Sequence, residues 1–373
     1  MLTIRLIQVS AVHCRRNRFL KRHVMKRPQN KMIKQVLISA LFLTVFFLSG
    51  CGNSQREEEI RTLSQKYSVS EERQLTVYTS HKEEVYMPVI TEFENATGIW
   101  VNIVAGGTSE MFDRIESGEG SDCDIMFGGG AEYYEAKKDL FYPYRVTESE
   151  QLFGEYLSPE DLWTPFTELP IVFIYNPKLV AKRDAPRNWK ELFDERWKGQ
   201  IAFADMEVSG TSYTIVSLMS QLFNETPEEL IPELYEQLDG NVLDSSGLVI
   251  PDVESGRCMV GITLEETAKK YMAKGYDIAM IYPEEGTIAL PDACAIVKNA
   301  PHSFNAGKFM DFIVAYDTQK YAMEHFHRRS VRTDVELSQD YEEVKLLDFD
   351  IKKSASEEAA AMEAWRAVRA SDK

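Results

Sequence analysis

Cysteine is scarce in this 373-residue chain, which has only Cys14, Cys51, Cys123, Cys258 and Cys294. Their spacings match no metal motif. The three that follow Cys51 are too few and too odd in number for a full disulfide framework, and they read as small buried thiols. Acidic residues are missing from the first 50 positions, which nonetheless hold ten of the 42 Lys and Arg. The remainder therefore carries all 59 Asp and Glu, and the whole chain has a net charge of −17. So acidic a body lacks the clustered cations that nucleic acid binding needs, and it is repelled by anionic membranes. Catalytic signatures are absent as well. There is no G-x-S-x-G, no H-E-x-x-H and no P-loop, and no Ser and His spacing supports a triad.

A long apolar run is also lacking. The stretch at residues 36–48 is 13 residues long, whereas a helix needs about 20 to cross a bilayer. A basic region ahead of a short apolar core is the layout of an export signal. The run ends in Leu48-Ser49-Gly50-Cys51, which resembles a bacterial lipobox. That resemblance implies a signal peptide at residues 1–50, acylation of Cys51, and attachment to the membrane through lipid alone. Met32 and Lys34 could open such a signal by themselves. Residues 51–74 are polar and charged, and read as a tether.

Order is expected from "LTVYTS", residues 75–80, an apolar strand. Val85, Val89, Ile90 and Phe93 recur about one helical turn apart and predict a helix that ends at Gly98. "IWVNIVAG", "TSEMFDRIESG" and "CDIMFGGG" continue as strand, helix and strand, which implies parallel pairing with right-handed crossovers. "ELPIVFIYNP" is a long apolar strand stopped by Asn-Pro. "NWKELFDERWKGQIAFAD" reads as helix, glycine turn and strand, and "VSGTSYTIVSLMSQLF" as a helix with a hydroxyl-rich start. Further strands are expected at "CMVGITLEE" and in "IAMIYPEEGTIALPDACAIVKNA". One or two helices follow, and an Ala- and Glu-rich helix closes the chain.

These segments resemble, in order, the extracellular solute-binding proteins of bacterial ABC importers. They are most similar to the branch that binds ferric iron, phosphonates and sugar phosphates. "LTVYTSHKEE", "DIMFGGGAEYY", "PIVFIYNPK", "SGTSYT", "YPEEGTIALPDACAIVKNAPHSF" and "RRSVRTDV" carry the resemblance, which covers residues 75–335. It implies an α/β fold of the two-lobed type II periplasmic-binding-protein kind. Lobe one would comprise residues 75–174 and 286–373, and lobe two residues 175–285. Two crossing strands would join the lobes, with a ligand cleft between. It further implies a monomer that delivers a small anionic solute to a permease, with no cofactor.

Candidate site residues follow from the residues and from that fold together. "AGGTSEM" and "VSGTSYT" both set Gly, Thr and Ser ahead of a helix. The first four N–H groups of a helix lack intrahelical partners and favour negative charge. Gly107, Thr108 and Ser109, with Ser209, Gly210, Thr211 and Ser212, would thus surround an anion from both lobes. Plain N-capping is the alternative for each cluster. Ser80 and His81 end the first strand. Gly129 and Gly130 offer backbone N–H groups, and Asp292 is placed in the cleft with them.

The iron-binding branch shows paired tyrosines where this chain has Thr263-Leu264-Glu265-Glu266, so phenolate ligation of iron is not expected. Thr263 and Glu265 suit hydroxyls or an amine on an organic solute instead. Tyr133-Tyr134 stands elsewhere and reads as packing. Three roles are open to "HRRSVRTDV", residues 327–335: reaching the anion, contacting the importer, or covering the surface. Three other functions remain open: a ferric-iron-binding component of an ABC importer, a sensor subunit that reports to a membrane kinase, and a phosphate-ester hydrolase.

Overall fold

The computed structural model describes residues 69–371. The expected lipid site, Cys51, and the signal and tether segments up to residue 68 lie outside the described residues. Alternation and β-branching make β1 (Gln74–Thr79) a strand buried along nearly its whole length. The apolar stripe Val85, Val89, Ile90 and Phe93 buries one face of α1 (Glu83–Thr97), which stops at Gly98 in the left-handed conformation. β2 (Trp100–Ala105), α2 (Thr108–Glu116), β3 (Ile125–Gly130) and the six-residue α3 (Ala131–Ala136) follow. β1 pairs in parallel with β2 on one side and β3 on the other. The β-α-β reading of this segment therefore holds.

After the short β4 (Phe141–Tyr142), the chain enters β5 (Thr164–Tyr175), whose 12 residues serve two neighbourhoods. Its first half pairs antiparallel with β10 (Ala289–Val297), which in turn pairs with β3. Its second half pairs with β8 (Val260–Leu264) and with β9 (Ala279–Ile281). β6 (Ile201–Ala204) and β7 (Val242–Leu243) extend the sheet beyond β8 in parallel. β5 running one way, and the β9–β10 segment running back, are the two crossing strands of the two-lobed α/β architecture.

Each half has its own core. Leu75, Val77, Phe93, Phe127, Phe166, Phe309 and their neighbours fill one. Phe173, Trp189, Trp197, Phe203, Tyr213 and Leu234 anchor the other. The helices over the second are α4 (Gly210–Phe223) and α5 (Pro227–Leu238), while α6 (Val249–Ser255) and α7 (Glu265–Ala273) pack with Val172, Ile174 and Ala202 in a separate cluster of the same half. α8 (Ser303–Val314) and α9 (Tyr316–Phe326) return to the first half, and β11 (Arg329–Ser330) then pairs with β5.

Two segments depart from expectation. "NWKELFDERWKG" forms two single 3₁₀ turns, Lys190–Phe193 and Glu195–Trp197, rather than a helix. Trp189, Leu192 and Trp197 are all driven into the core. The Gln237 amide then bonds the Leu192 and Asp194 carbonyls (2.8 and 3.0 Å), which occupies groups that a helix would use itself. The final helix, α10 (Ile351–Ser371), is expected with the first half, and it does pack along α3 there, with Ile351 against that half's Tyr134 and Phe141 cluster. Its buried residues Ala361 and Trp365 also enter the core of the second, so the helix meets both halves. Cys123, Cys258 and Cys294 are free and buried.

Candidate functional site

Both hydroxyl-rich helix starts open onto a single cavity of about 260 Å³. From the α2 side it is lined by Gly107 and Thr108, and from the α4 side by Ser209, Gly210 and Thr211. Ser209 is the N-cap of α4 and its Oγ accepts from the Ser212 N–H (3.3 Å). Capping therefore uses Ser209 and Ser212, while Gly210 and Thr211 keep N–H groups without an intrahelical acceptor. Ser212 and Thr263 line a smaller adjoining chamber of about 30 Å³, together with Ser209, Thr211, Ser246, Thr267 and Lys82. Ser109, next to Thr108, does not reach the cavity wall.

Ser80, His81, Gly129, Gly130 and Asp292 also line the main cavity. Gly129 has φ of +90°, and a Cβ there would stand 2.8 Å from the Thr108 methyl. Only glycine lets the end of β3 pass this close to the start of α2. His81 is wedged edge-on against the Phe127 and Phe166 rings (centroids 4.4 and 5.7 Å). Burial, with Arg328 next in effect, pushes its pKa well below the usual imidazole range, so the ring is neutral.

Asp292 is bound mainly to protein. Its Oδ1 accepts from the N–H and hydroxyl of Thr167 (2.7 and 2.6 Å), and its Oδ2 from Arg328 Nη1. His81 Nε2 lies 3.3 Å from the same Oδ2, but not in hydrogen-bond alignment. Glu265 is expected to meet ligand, yet it is turned away. Arg329 holds it through two bonds (2.7 and 3.0 Å) and Tyr282 through a third. An arginine two positions short of the apolar Val331 finds its carboxylate there, and the cleft loses it.

The cavity contains groups that the sequence did not mark as site residues. Lys82, Lys270 and Arg328 supply positive charge, and Glu132 and Glu266 negative charge. Tyr133, Thr214, Ser246 and Thr267 add hydroxyls. Burial lowers the Lys82 pKa, with Lys270 adding to it. "HRRSVRTDV" is therefore no surface patch. Arg328 turns into the cleft against Asp292, with Glu266 at 4.0 Å. Arg329 pairs with Glu265, and Arg332 with Glu148 and Asp334. The placement of one arginine in the cleft is one of the open roles; the splitting of the three, two into buried pairs and Arg332 onto the exposed carboxylates of Glu148 and Asp334, has no local signal. Tyr134 is packing, as expected, its hydroxyl shared among the carbonyls of Met126, Gly128 and Ala293. Its neighbour Tyr133 lines the cavity and touches Gly210, where an added Cβ would meet the ring at 3.1 Å. Among the described residues, no group of three His, Cys, Asp or Glu is arranged to hold a metal ion.

A two-lobed α/β fold with one polar cleft fed by helix starts from both halves defines a solute-binding protein. Residues 123–354 match the model of the bacterial extracellular solute-binding protein family. The chain belongs to that family, which serves ABC importers, and the protein is accordingly exported. It is 24% identical over 306 residues to iron uptake protein A1 of Synechocystis, covering 78% of this chain and 83% of that one. It is 22% identical over 266 residues to a putative 2-aminoethylphosphonate-binding periplasmic protein of Salmonella typhimurium, covering 69% and 77%. The fold superposes with a TM-score of 0.70 on the periplasmic binding protein AfuA from Actinobacillus pleuropneumoniae, solved with fructose-6-phosphate. That match is 23% identical and covers 78% of this chain and 97% of that one. No described helix is long and apolar enough to cross a membrane.

Proposed function

We propose that the cleft captures a small organic anion, phosphorylated or phosphonate-bearing, for delivery to an ABC permease. The observation that carries this reading is the convergence of the α2 and α4 starts on one cavity that also holds Lys82, Lys270 and Arg328. Backbone N–H groups at helix starts bind phosphate without further help. The phosphonate and sugar-phosphate relatives support the same ligand class. Ser80, Gly107, Thr108, Gly129, Gly130, Ser209, Gly210 and Thr211 are the contacts proposed for the anion, with the lobes closing over it. In this reading residues 75–174 and 286–373 form lobe one, and 175–285 lobe two, with α10 reaching from α3 onto the core of lobe two. The protein acts as a monomeric carrier and not as an enzyme.

Thr211→Val is the direct test, because Thr211 lines the cavity without capping the helix. Hydrogen bonds to a charged group contribute about 1.5–3 kcal/mol, so calorimetric titration with phosphonates and sugar phosphates should show affinity reduced about tenfold or more. The melting temperature of the free protein should hardly move. Unchanged affinity, or no binding by wild type across the panel, would reject the anion reading. Ser209→Ala is expected to lose both affinity and about 1 kcal/mol of helix capping.

We further propose that Cys51 is the lipid attachment point, on the strength of Leu48-Ser49-Gly50-Cys51. Cys51→Ala should abolish incorporation of labelled fatty acid in cells and release the protein from membranes. Undiminished labelling would sink this proposal.

A further inference from the structure

One carboxyl in the cleft wall has half of its bonding unmet. Glu132, the second residue of α3, lines the cavity and is only 2% exposed. Its Oε1 meets the Thr214 hydroxyl of α4 at 2.6 Å, across the cleft. Its Oε2 is buried and has no hydrogen-bond partner. Burial pushes the Glu132 pKa up, against the lowering effect of the Thr214 bond and, after it, of the residue's own backbone N–H. If this position served packing alone, a methionine or leucine would fill it without the penalty of an unmatched polar oxygen.

We propose that Glu132 is a specificity-determining residue, with Oε2 as the acceptor for a hydroxyl or ammonium hydrogen on the bound solute. This inference rests on the anion reading above and narrows it. Thr214 lies one helical turn, about 5.4 Å, beyond Gly210 at the start of α4. An anion seated on that helix start, and a donor at Glu132, are therefore separated by the reach of two or three carbons. The solute class is a short phosphonate or phosphate ester with a hydroxyl or amine at its far end. A purely alkyl analogue would leave Oε2 unpaired in the closed cleft. Sites built to bond a polar group reject analogues that lack it far more strongly than apolar pockets reject a missing methylene.

The test is calorimetric titration of the exported chain with matched alkyl, hydroxyalkyl and aminoalkyl phosphonates of two and three carbons. Wild type is expected to favour a hydroxyl- or amine-bearing member over its alkyl counterpart by about tenfold or more. Glu132→Met should bring the members of each set within about twofold of one another, because no acceptor remains. Glu132→Gln keeps a carbonyl oxygen and should retain the hydroxyl preference. Equal affinities within both sets in wild type overturn the inference and leave the anion reading standing. Persistence of the preference in Glu132→Met also overturns it. Failure of every phosphonate to bind wild type overturns both.

Discussion

Trp365→Ala is expected to destabilise the protein by about 3–5 kcal/mol, the range for deleting a fully buried aromatic. For some 300 ordered residues that is a fall in melting temperature of roughly 6 °C. Trp365 is completely buried although it lies near the chain's end. Its ring packs edge-on to Tyr235 (5.7 Å) and tilted on Phe203 (6.1 Å). Its indole N–H donates to Asp205 Oδ1 at 2.8 Å. Asp205 in turn starts the loop that leads to the cleft. Its carbonyl accepts from the Ser209 N–H (3.0 Å), and its Oδ1 also accepts from the Glu207 N–H (2.9 Å). The variant should therefore lose solute affinity as well as stability, although Trp365 is not among the residues lining the cavity. Trp365→Phe keeps most of the bulk and removes the N–H, so its cost should drop to about 1–2 kcal/mol. Thermal unfolding of the three proteins checks the order. A loss below about 1 kcal/mol for Trp365→Ala would mean that α10 is a detachable appendage.

That helix also shows where sequence reading reaches its limit. Its existence was legible in "EEAAAMEAWRAVRA", because Ala, Glu and Arg favour helix strongly. Its partner was not, since one tryptophan among small alanines does not say which core receives it. The strands β1, β3 and β5 were legible for a simpler reason. Apolar runs bounded by Gly, Asn and Pro admit few other readings. The two hydroxyl-rich helix starts were legible from cap chemistry, and both open on the cleft. Glu132 was hidden because "AEYYEA" looks like a surface turn of helix, and only the approach of Thr214, 82 positions on, buries it. Glu265 misled in the opposite direction. A carboxylate after a strand that ends in the cleft reads as a ligand contact until Arg329, 64 positions away, claims both oxygens. Long-range ion pairing of this kind leaves no periodicity in the chain. α5 illustrates a signal present but unused: Thr226 and Glu229 form a capping box with Pro227 at the first turn.

Arg329→Met is expected to cost about 3–5 kcal/mol, because it strips the cation from a buried pair and leaves the carboxylate behind. Arg329 and Glu265 are 3% and 1% exposed. Besides its two bonds to Glu265, the guanidinium donates to the Glu342 carbonyl (2.8 Å) and sits over the Tyr341 ring (5.3 Å). The loss should grow with pH. Burial already holds the Glu168 pKa at about 7 in the folded protein, with Arg329 pulling it down. An unfolded glutamate titrates near 4.3, so the folded state binds more protons between about 4.3 and 7, and stability falls as pH rises through that window. Without Arg329 the Glu168 pKa rises further, and the window extends upward. Denaturant unfolding should therefore show a larger deficit for Arg329→Met at pH 8 than at pH 5. Arg329→Lys should recover part of it, as one charge without the two-pronged geometry. Arg329→Met combined with Glu265→Leu should recover more, since an apolar pair in place of a buried ion pair is often neutral or better. A deficit equal at both pH values, or a double variant no more stable than Arg329→Met, would show that the cost lies in lost packing and not in the stranded charge.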